Sequence, residues 1–256
     1  MLKYDSNVPA EDLATCLQIC DSLDEQSKAR AAAMIQSDRF RTWLVEDTSS
    51  RSLLVNGHVD LEAAEGPSPL SLVDAEIVRY SEVEAGPAVS FVVNYLCGLH
   101  RQNMDPSVSS SSVGMMASLV GQLLTQMLDK GVAVDVSFLD KTGLKNVENY
   151  DMLTLCTVFR LLAMQLPAKA LLVCVLDEVS FYETRNLGRD TDAVMRRLTR
   201  LVANSTEILF KLLVTCRGQA LDFQQYFDPS DILDLDEDVD LDDSAMWKIK
   251  NIGSSD

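Results

Sequence analysis

Residues 170–178 read Ala170-Leu171-Leu172-Val173-Cys174-Val175-Leu176-Asp177-Glu178. A short apolar run of this kind, closed abruptly by two acids, predicts a strand from Ala170 to Leu176. It shows no polar alternation, so both of its faces must be covered, as in a parallel sheet flanked by helices. The two carboxylates then fall at the strand's C-terminal end, where ligands bind in open α/β sheets.

Three more runs repeat the pattern. Ser52 to Asn56 is rich in Leu and Val and is closed by Gly57. Val89 to Leu96 is entered from Gly86-Pro87 and left at Gly98. Leu209 to Thr215 is closed by Cys216-Arg217-Gly218. Helical periodicity fills the intervals. Residues 10–46 form a helical lead-in with a polar break near Asp24. Ser71 reads as the N-cap of a helix through about Tyr80. Further helices run from about Val113 to Asp129, from Asn149 to Gln165 and over 190–204, with Met115, Met116 and Met127 on a core face. Strands alternating with helices predict an α/β fold. Its open, mainly parallel sheet has about five strands and helices on both faces, preceded by a short helical segment. The organisation read from the chain is 1–50 lead-in, 51–220 α/β core and 221–256 acidic C-terminal segment, forming an edge strand or a loose tail. Between Asp222 and Asp243 there are ten carboxylates and no Lys or Arg.

The 256 residues carry 22 Lys plus Arg against 39 Asp plus Glu, a formal charge of −17, with 47% apolar residues. That apolar fraction is ordinary for a folded domain, so acidity does not mean disorder. The charge sets the expectation of no nucleic-acid partner, because such a chain repels a phosphate backbone unless its basic residues are segregated. No apolar run reaches the roughly 18–20 residues of a membrane span, and the N-terminus lacks the basic-then-apolar pattern of a signal peptide. The expectation is an intracellular protein, cytoplasmic or nuclear, with no membrane partner. Six cysteines without a CxxC pair or a histidine cluster read as reduced structural thiols, not a zinc site.

Three stretches stand in an informative order: Leu53-Leu54-Val55-Asn56-Gly57 with its loop and helix, then Leu171 to Glu178, then Leu212-Leu213-Val214-Thr215-Cys216-Arg217. Strand–loop–helix, an acid-tipped strand and a strand ending in a polar-Arg turn is the order of a P-loop ATPase core. There the loop wraps phosphates, the acids hold magnesium and polarise water, and the Arg senses the γ-phosphate. With Ser37 to Leu44, Phe91 to His100, Met116 to Leu124 and Leu176 to Glu183, these stretches resemble a known family over about residues 35–245. It is the fungal NACHT-type branch of the signal-transducing ATPases with numerous domains (STAND). The resemblance implies a P-loop NTPase-like fold. It also implies ATP with Mg as cofactor, Asp177 on the metal, Glu178 on the attacking water and Arg217 on the γ-phosphate, with Gly57, His58 and Ser71 near the phosphates.

The sequence departs from that pattern at its phosphate loop. G-x-x-x-x-G-K-[ST] is absent from Gly57 to Ser71, and no Lys occurs between Lys28 and Lys130. Asp60, Glu62 and Glu65 occupy the loop, each repelling a triphosphate by about 1 kcal/mol or more at an effective dielectric near 20. Pro67 and Pro69 offer no N–H to phosphate. The expectation is a catalytically inactive pseudo-ATPase acting as a scaffold or protein-interaction module, with no cofactor and with Asp177, Glu178 and Arg217 as relics. The alternative is a nucleotide-binding STAND-type signalling ATPase with a non-standard loop. Arg196, Arg197 and Arg200 form a basic stripe, read as a solvated helix face or as a dock for an acidic element. Asp234, Asp236, Glu237 and Asp238 of this same chain are candidates for that element. A protein partner and self-association complete the expectations. His58 and His100, the only histidines, read as structural, and the serines at 107–112 lack the G-x-S-x-G elbow of a nucleophile.

Overall fold

The apolar runs become five strands: β1 Arg51–Asn56, β2 Ser90–Leu96, β3 Leu171–Asp177, β4 Leu209–Cys216 and β5 Ile232–Asp234. They form one sheet in the order β2-β3-β4-β1-β5, with every neighbouring pair parallel. The computed structural model describes residues 4–18, 23–59, 66–83, 89–101, 107–108 and 110–235 of the 256. The fold is the open parallel α/β sheet with helices on both faces that the sequence predicts.

Strand side chains alternate between two apolar layers. Leu53, Val55, Val173, Val175 and Leu213 face α2 (Glu25–Gln36), α3 (Asp38–Val45) and α4 (Pro69–Val83). Leu54, Leu172, Cys174, Leu212 and Val214 face α5 (Ser112–Asp129), α7 (Met152–Ala163) and α8 (Gly188–Asn204). Continuous apolar sequence is thus the direct consequence of a sheet buried twice. The lead-in consists of α1 (Val8–Gln18), α2 and α3, and the polar break supplies caps. The Asp24 carboxylate accepts from Ser27 N–H at 2.7 Å, and the Ser37 hydroxyl accepts from Arg39 N–H at 3.3 Å.

Several boundaries differ from expectation for local reasons. The helix after β1 begins at Pro69, and Ser68, not Ser71, is its cap: the Ser68 hydroxyl accepts from Ser71 N–H at 3.2 Å. Proline suits the first helical position because that N–H has no intrahelical partner. Ser71 lies inside the first turn and is free to point at β3. The helix expected from Asn149 starts at Met152, where Asp151 accepts from Thr154 N–H at 2.8 Å. A short helix, α6 (Lys141–Glu148), adds to the expected elements. Asp140 caps it at Gly143 N–H, 2.7 Å. Of the acidic segment, Ile232–Asp234 is an edge strand on β1.

The opposite edge, β2, is closed by side chains. The Gln122 amide donates to Asn94 O at 2.7 Å and accepts Asn94 N–H at 3.0 Å. Gln126 treats Val92 in the same way, accepting its N–H at 2.9 Å and donating to its carbonyl. Two glutamines one helical turn apart therefore imitate a neighbouring strand and block edge pairing. No described helix is long and apolar enough to cross a membrane. The described cysteines (Cys16, Cys97, Cys156, Cys174 and Cys216) are free and buried, while Cys20 lies outside the described residues. No described group of His, Cys, Asp and Glu could hold a metal ion.

Candidate functional site

The parallel register aligns the strand ends. Asn56 lies opposite Cys216 and Asp234, and Leu96 lies opposite Asp177. Gly57, Asp177, Glu178, Thr215 and Arg217 therefore gather at one sheet edge, joined there by Ser71 and by Asp74, one turn further along α4.

Asp74, Asp177 and Thr215 form a buried proton-sharing group. Thr215 Oγ1 lies 2.7 Å from Asp74 Oδ2 and 3.0 Å from Asp177 Oδ1, and it accepts Glu178 N–H at 3.2 Å. A hydroxyl carries one hydrogen, so it cannot donate to both carboxylates; one of them must itself be a donor. The Ser71 hydroxyl donates to Asp177 Oδ2 at 2.8 Å, which satisfies both oxygens of Asp177. Asp74 Oδ1 has no hydrogen-bond partner among the described residues. That bond count leaves one proton for the Asp74–Asp177 pair, relayed through Thr215 Oγ1. Burial, opposed by the bonds to Thr215 and Asp177, pushes the Asp74 carboxyl up to about 8. Burial, then Glu178 and Asp74, hold Asp177 well above the usual carboxylate range.

Beside this group sits a buried ion pair. Arg217 Nε donates to Glu178 Oε1, and the two side chains are 1% and 0% exposed. Arg217 also donates to Gly66 O. Arg101 Nη2 donates to the same carbonyl at 3.3 Å and lies 4.0 Å from Glu178 Oε2, its guanidinium stacked 3.8 Å from the Phe181 ring centre. Glu178 takes φ 53°, a left-handed conformation that turns its side chain inward. Gly98 makes room for it: a Cβ there would come within 1.8 Å of Glu178 Oε2. Burial raises the Glu178 carboxyl, and Arg217 opposes that rise.

The segment after β1 is closed by backbone bonds. Gly57 N–H donates to Cys216 O at 2.8 Å, His58 N–H to Gly218 O at 3.0 Å and Val59 N–H to Arg217 O at 2.9 Å. The segment leaving β1 is thus paired with the β4 exit. A Cβ on Gly57 would lie 2.6 Å from Arg217 O, so the two segments touch. If Ser71 is the closing hydroxyl of G-x-x-x-x-G-K-[ST], Leu70 stands in the lysine's place and Pro69 in the second glycine's. Leu70 is buried in the apolar layer. The residues present do not fit a magnesium-bound triphosphate: the cation position is apolar, Pro67 and Pro69 offer no N–H, and the acids face a proton and an arginine. Asp60, Glu62 and Glu65 lie outside the described residues.

The remaining sequence-derived candidates separate. His58 Nε2 lies 2.9 Å from Asp234 Oδ1, which also accepts from Asn56 Nδ2 at 2.9 Å. Asp234 is thus engaged by β1 and its exit, not by the arginines of α8. Asp236, Glu237 and Asp238 fall outside the described residues. His100 Nε2 pairs with Asp12 Oδ2 at 2.7 Å and ties α1 to the turn after β2. On α8, Arg200 is exposed, but Arg196 and Arg197 are half-buried, so the stripe is less open than its sequence implies. Asp74 is the one member of the proton-sharing group that the sequence does not mark as part of the site. Its signal was its spacing, because a residue three after Ser71 shares Ser71's helix face.

No family model matches the chain, and no curated protein matches it. Among solved structures, it is similar to a chain described as the structure of the Aeropyrum pernix ORC1 protein in complex with DNA. The two share 15% identity at a TM-score of 0.38, over 83% of this chain and 45% of that one, so this chain spans less than half of its neighbour's length. A likeness of that degree carries no argument about function. It does correct one expectation. Net charge led to the exclusion of nucleic acid, yet the similar chain is described bound to DNA, and the exclusion is withdrawn. The physical reason is that a net charge averages over the molecule: six of the acids lie at 236–243, outside the described residues, while arginines cluster on α8.

Proposed function

We propose that the chain is a P-loop NTPase-like domain of the NACHT kind that has lost phosphate binding and serves as a scaffold or protein-interaction module. One observation carries the reading: with Ser71 as the loop's closing hydroxyl, Leu70 stands in the lysine's place and is buried in an apolar layer. Phosphate would find there no cation and, at Pro67 and Pro69, no N–H. The Arg217–Glu178 pair supports the same conclusion, because it leaves neither that cation nor that carboxylate free for the phosphate and its metal. On this reading the members of the motif order hold the sheet edge together. Asp177 anchors Ser71 and Thr215, and Arg217 neutralises Glu178.

One observation favours a nucleotide-binding signalling ATPase instead. Ser71 touches Asp177 at 2.8 Å, the hydroxyl–carboxylate pairing that holds magnesium in P-loop sites. A thermal-shift titration with Mg-ATP, Mg-ADP and Mg-GTP to millimolar concentration separates the two readings. We expect the melting temperature to move by less than about 1 °C. A ligand held at 100-fold its Kd would add about 2.7 kcal/mol, or about 5–10 °C in a domain of this size. A shift of that size, or hydrolysis abolished by Asp177→Ala, would overturn the proposal.

A further inference from the structure

At the opposite end of the sheet, α7 and α8 run down to the starts of β3 and β4 and leave a groove of about 460 Å³ between them. Its volume falls within the range of small-molecule sites. The floor is apolar, with Phe159, Ala163, Leu198 and Ile208 buried beneath it. Met164 stands at the rim, 65% exposed. Three arginines line the same groove: Arg160 from α7, and Arg197 and Arg200 from α8.

These cations are unusual in their setting. The chain carries 39 acids, yet no described carboxylate forms an ion pair with Arg160, Arg197 or Arg200. Arg197 Nη1 donates to Ala193 O at 2.8 Å, and Arg160 Nη1 lies 3.2 Å from Met164 Sδ. Each guanidinium has five N–H donors, so most of them have no side-chain or backbone partner among the described residues. Glu207 is the single acid among the lining residues. An apolar floor beneath several unpaired guanidinium groups is complementary to one kind of small molecule, with an aliphatic body and an anionic head that an arginine fork can grip with two parallel bonds.

We propose that this groove binds an amphipathic carboxylate, its chain lying on Phe159, Leu198 and Ile208 and its head held by Arg160 and Arg200. The site is remote from the acid cluster and does not depend on the proposed loss of phosphate binding. Isothermal titration of the full chain with sodium dodecanoate, below micelle-forming concentrations, tests it. We expect one saturable site. Arg160→Gln with Arg200→Gln should weaken it at least tenfold without shifting the melting temperature, because both side chains are exposed. Thr157→Trp, at an exposed position on the groove wall, should also abolish binding by filling the space. Dodecyltrimethylammonium, with the same tail and the opposite charge, should bind at least tenfold more weakly. Absence of saturable binding, equal binding of the two surfactants, or binding only of a synthetic acidic peptide covering residues 236–247 would each overturn the proposal.

Discussion

Replacing Arg217 by methionine should lower the melting temperature by about 10 °C, and removing its partner's charge as well should restore most of that loss. Glu178 is fully buried, and Arg217 is the cation in direct contact with it. Arg101 stands 4.0 Å away on the other carboxylate oxygen. Deleting one member of such a pair leaves an uncompensated buried charge, which costs about 3–5 kcal/mol. In a chain of this size each kcal/mol moves the transition by about 2–4 °C. Arg217→Met keeps much of the aliphatic volume, so the loss reports mainly on charge. In Arg217→Met/Glu178→Gln the carboxamide still fits against Gly98 and needs no cation, so the pair of substitutions should cost far less than their sum. Thermal denaturation without any ligand checks this. A γ-phosphate sensor would behave differently: its loss would leave the ligand-free melting point near that of the parent and alter only a nucleotide response. An Arg217→Met protein melting within about 2 °C of the parent would therefore remove the structural role assigned to this arginine.

The parts of this site that could be read from sequence share one property: their signal is local. β3 and β4 announce themselves because burial on both faces demands an unbroken apolar run, and the first polar residues after each run, Asp177-Glu178 and Arg217, must fall at the sheet edge. The absent lysine is equally local. What could not be read depends on the third dimension. Asp74 looks like an ordinary polar residue on an amphipathic helix, and only the packing of α4 across β3 and β4 brings it to Thr215. The pairing of residues 57–59 with residues 216–218 joins segments about 160 positions apart. Gln122 and Gln126 are two polar residues on an apolar helix in the sequence, yet their side chains complete a sheet edge. α6 escaped notice because Gly143 and Thr142 weaken its helical signal, and the Asp140 cap that compensates is a single residue. The basic stripe illustrates the reverse failure. Three arginines on one helix were visible, but the groove floor that gives them a purpose comes from α7 and Ile208.

The buried acid pair leads to the second large effect, a stability that falls as pH rises. Asp74 is fully buried, and its carboxyl is moved from the ordinary 3.8 to about 8, with burial the main cause. Between those two values the folded chain retains a proton that the unfolded chain has released. The stability this group contributes is therefore complete below 3.8 and is lost progressively as pH climbs through about 8. A difference of one bound proton corresponds to about 1.4 kcal/mol per pH unit, or a loss of about 3–5 °C per unit in a domain of this size. Asp177 shares the proton and Glu178 adds to the crowding of negative charge, so their shifts run in the same direction. Asp74→Asn isolates the effect. The carboxamide N–H can donate to Thr215 Oγ1 as the protonated acid does, but it never ionises. The variant should melt close to the parent at pH 5 and should exceed it by about 5 °C or more at pH 8, with a flatter profile between. Parallel melting curves at half-unit steps of pH provide the measurement. If the variant's profile runs parallel to the parent's across that window, both carboxyls are already ionised in the folded chain. The single hydrogen of Thr215 would then have to serve two acceptors, and the proton-sharing arrangement at the sheet edge would be wrong.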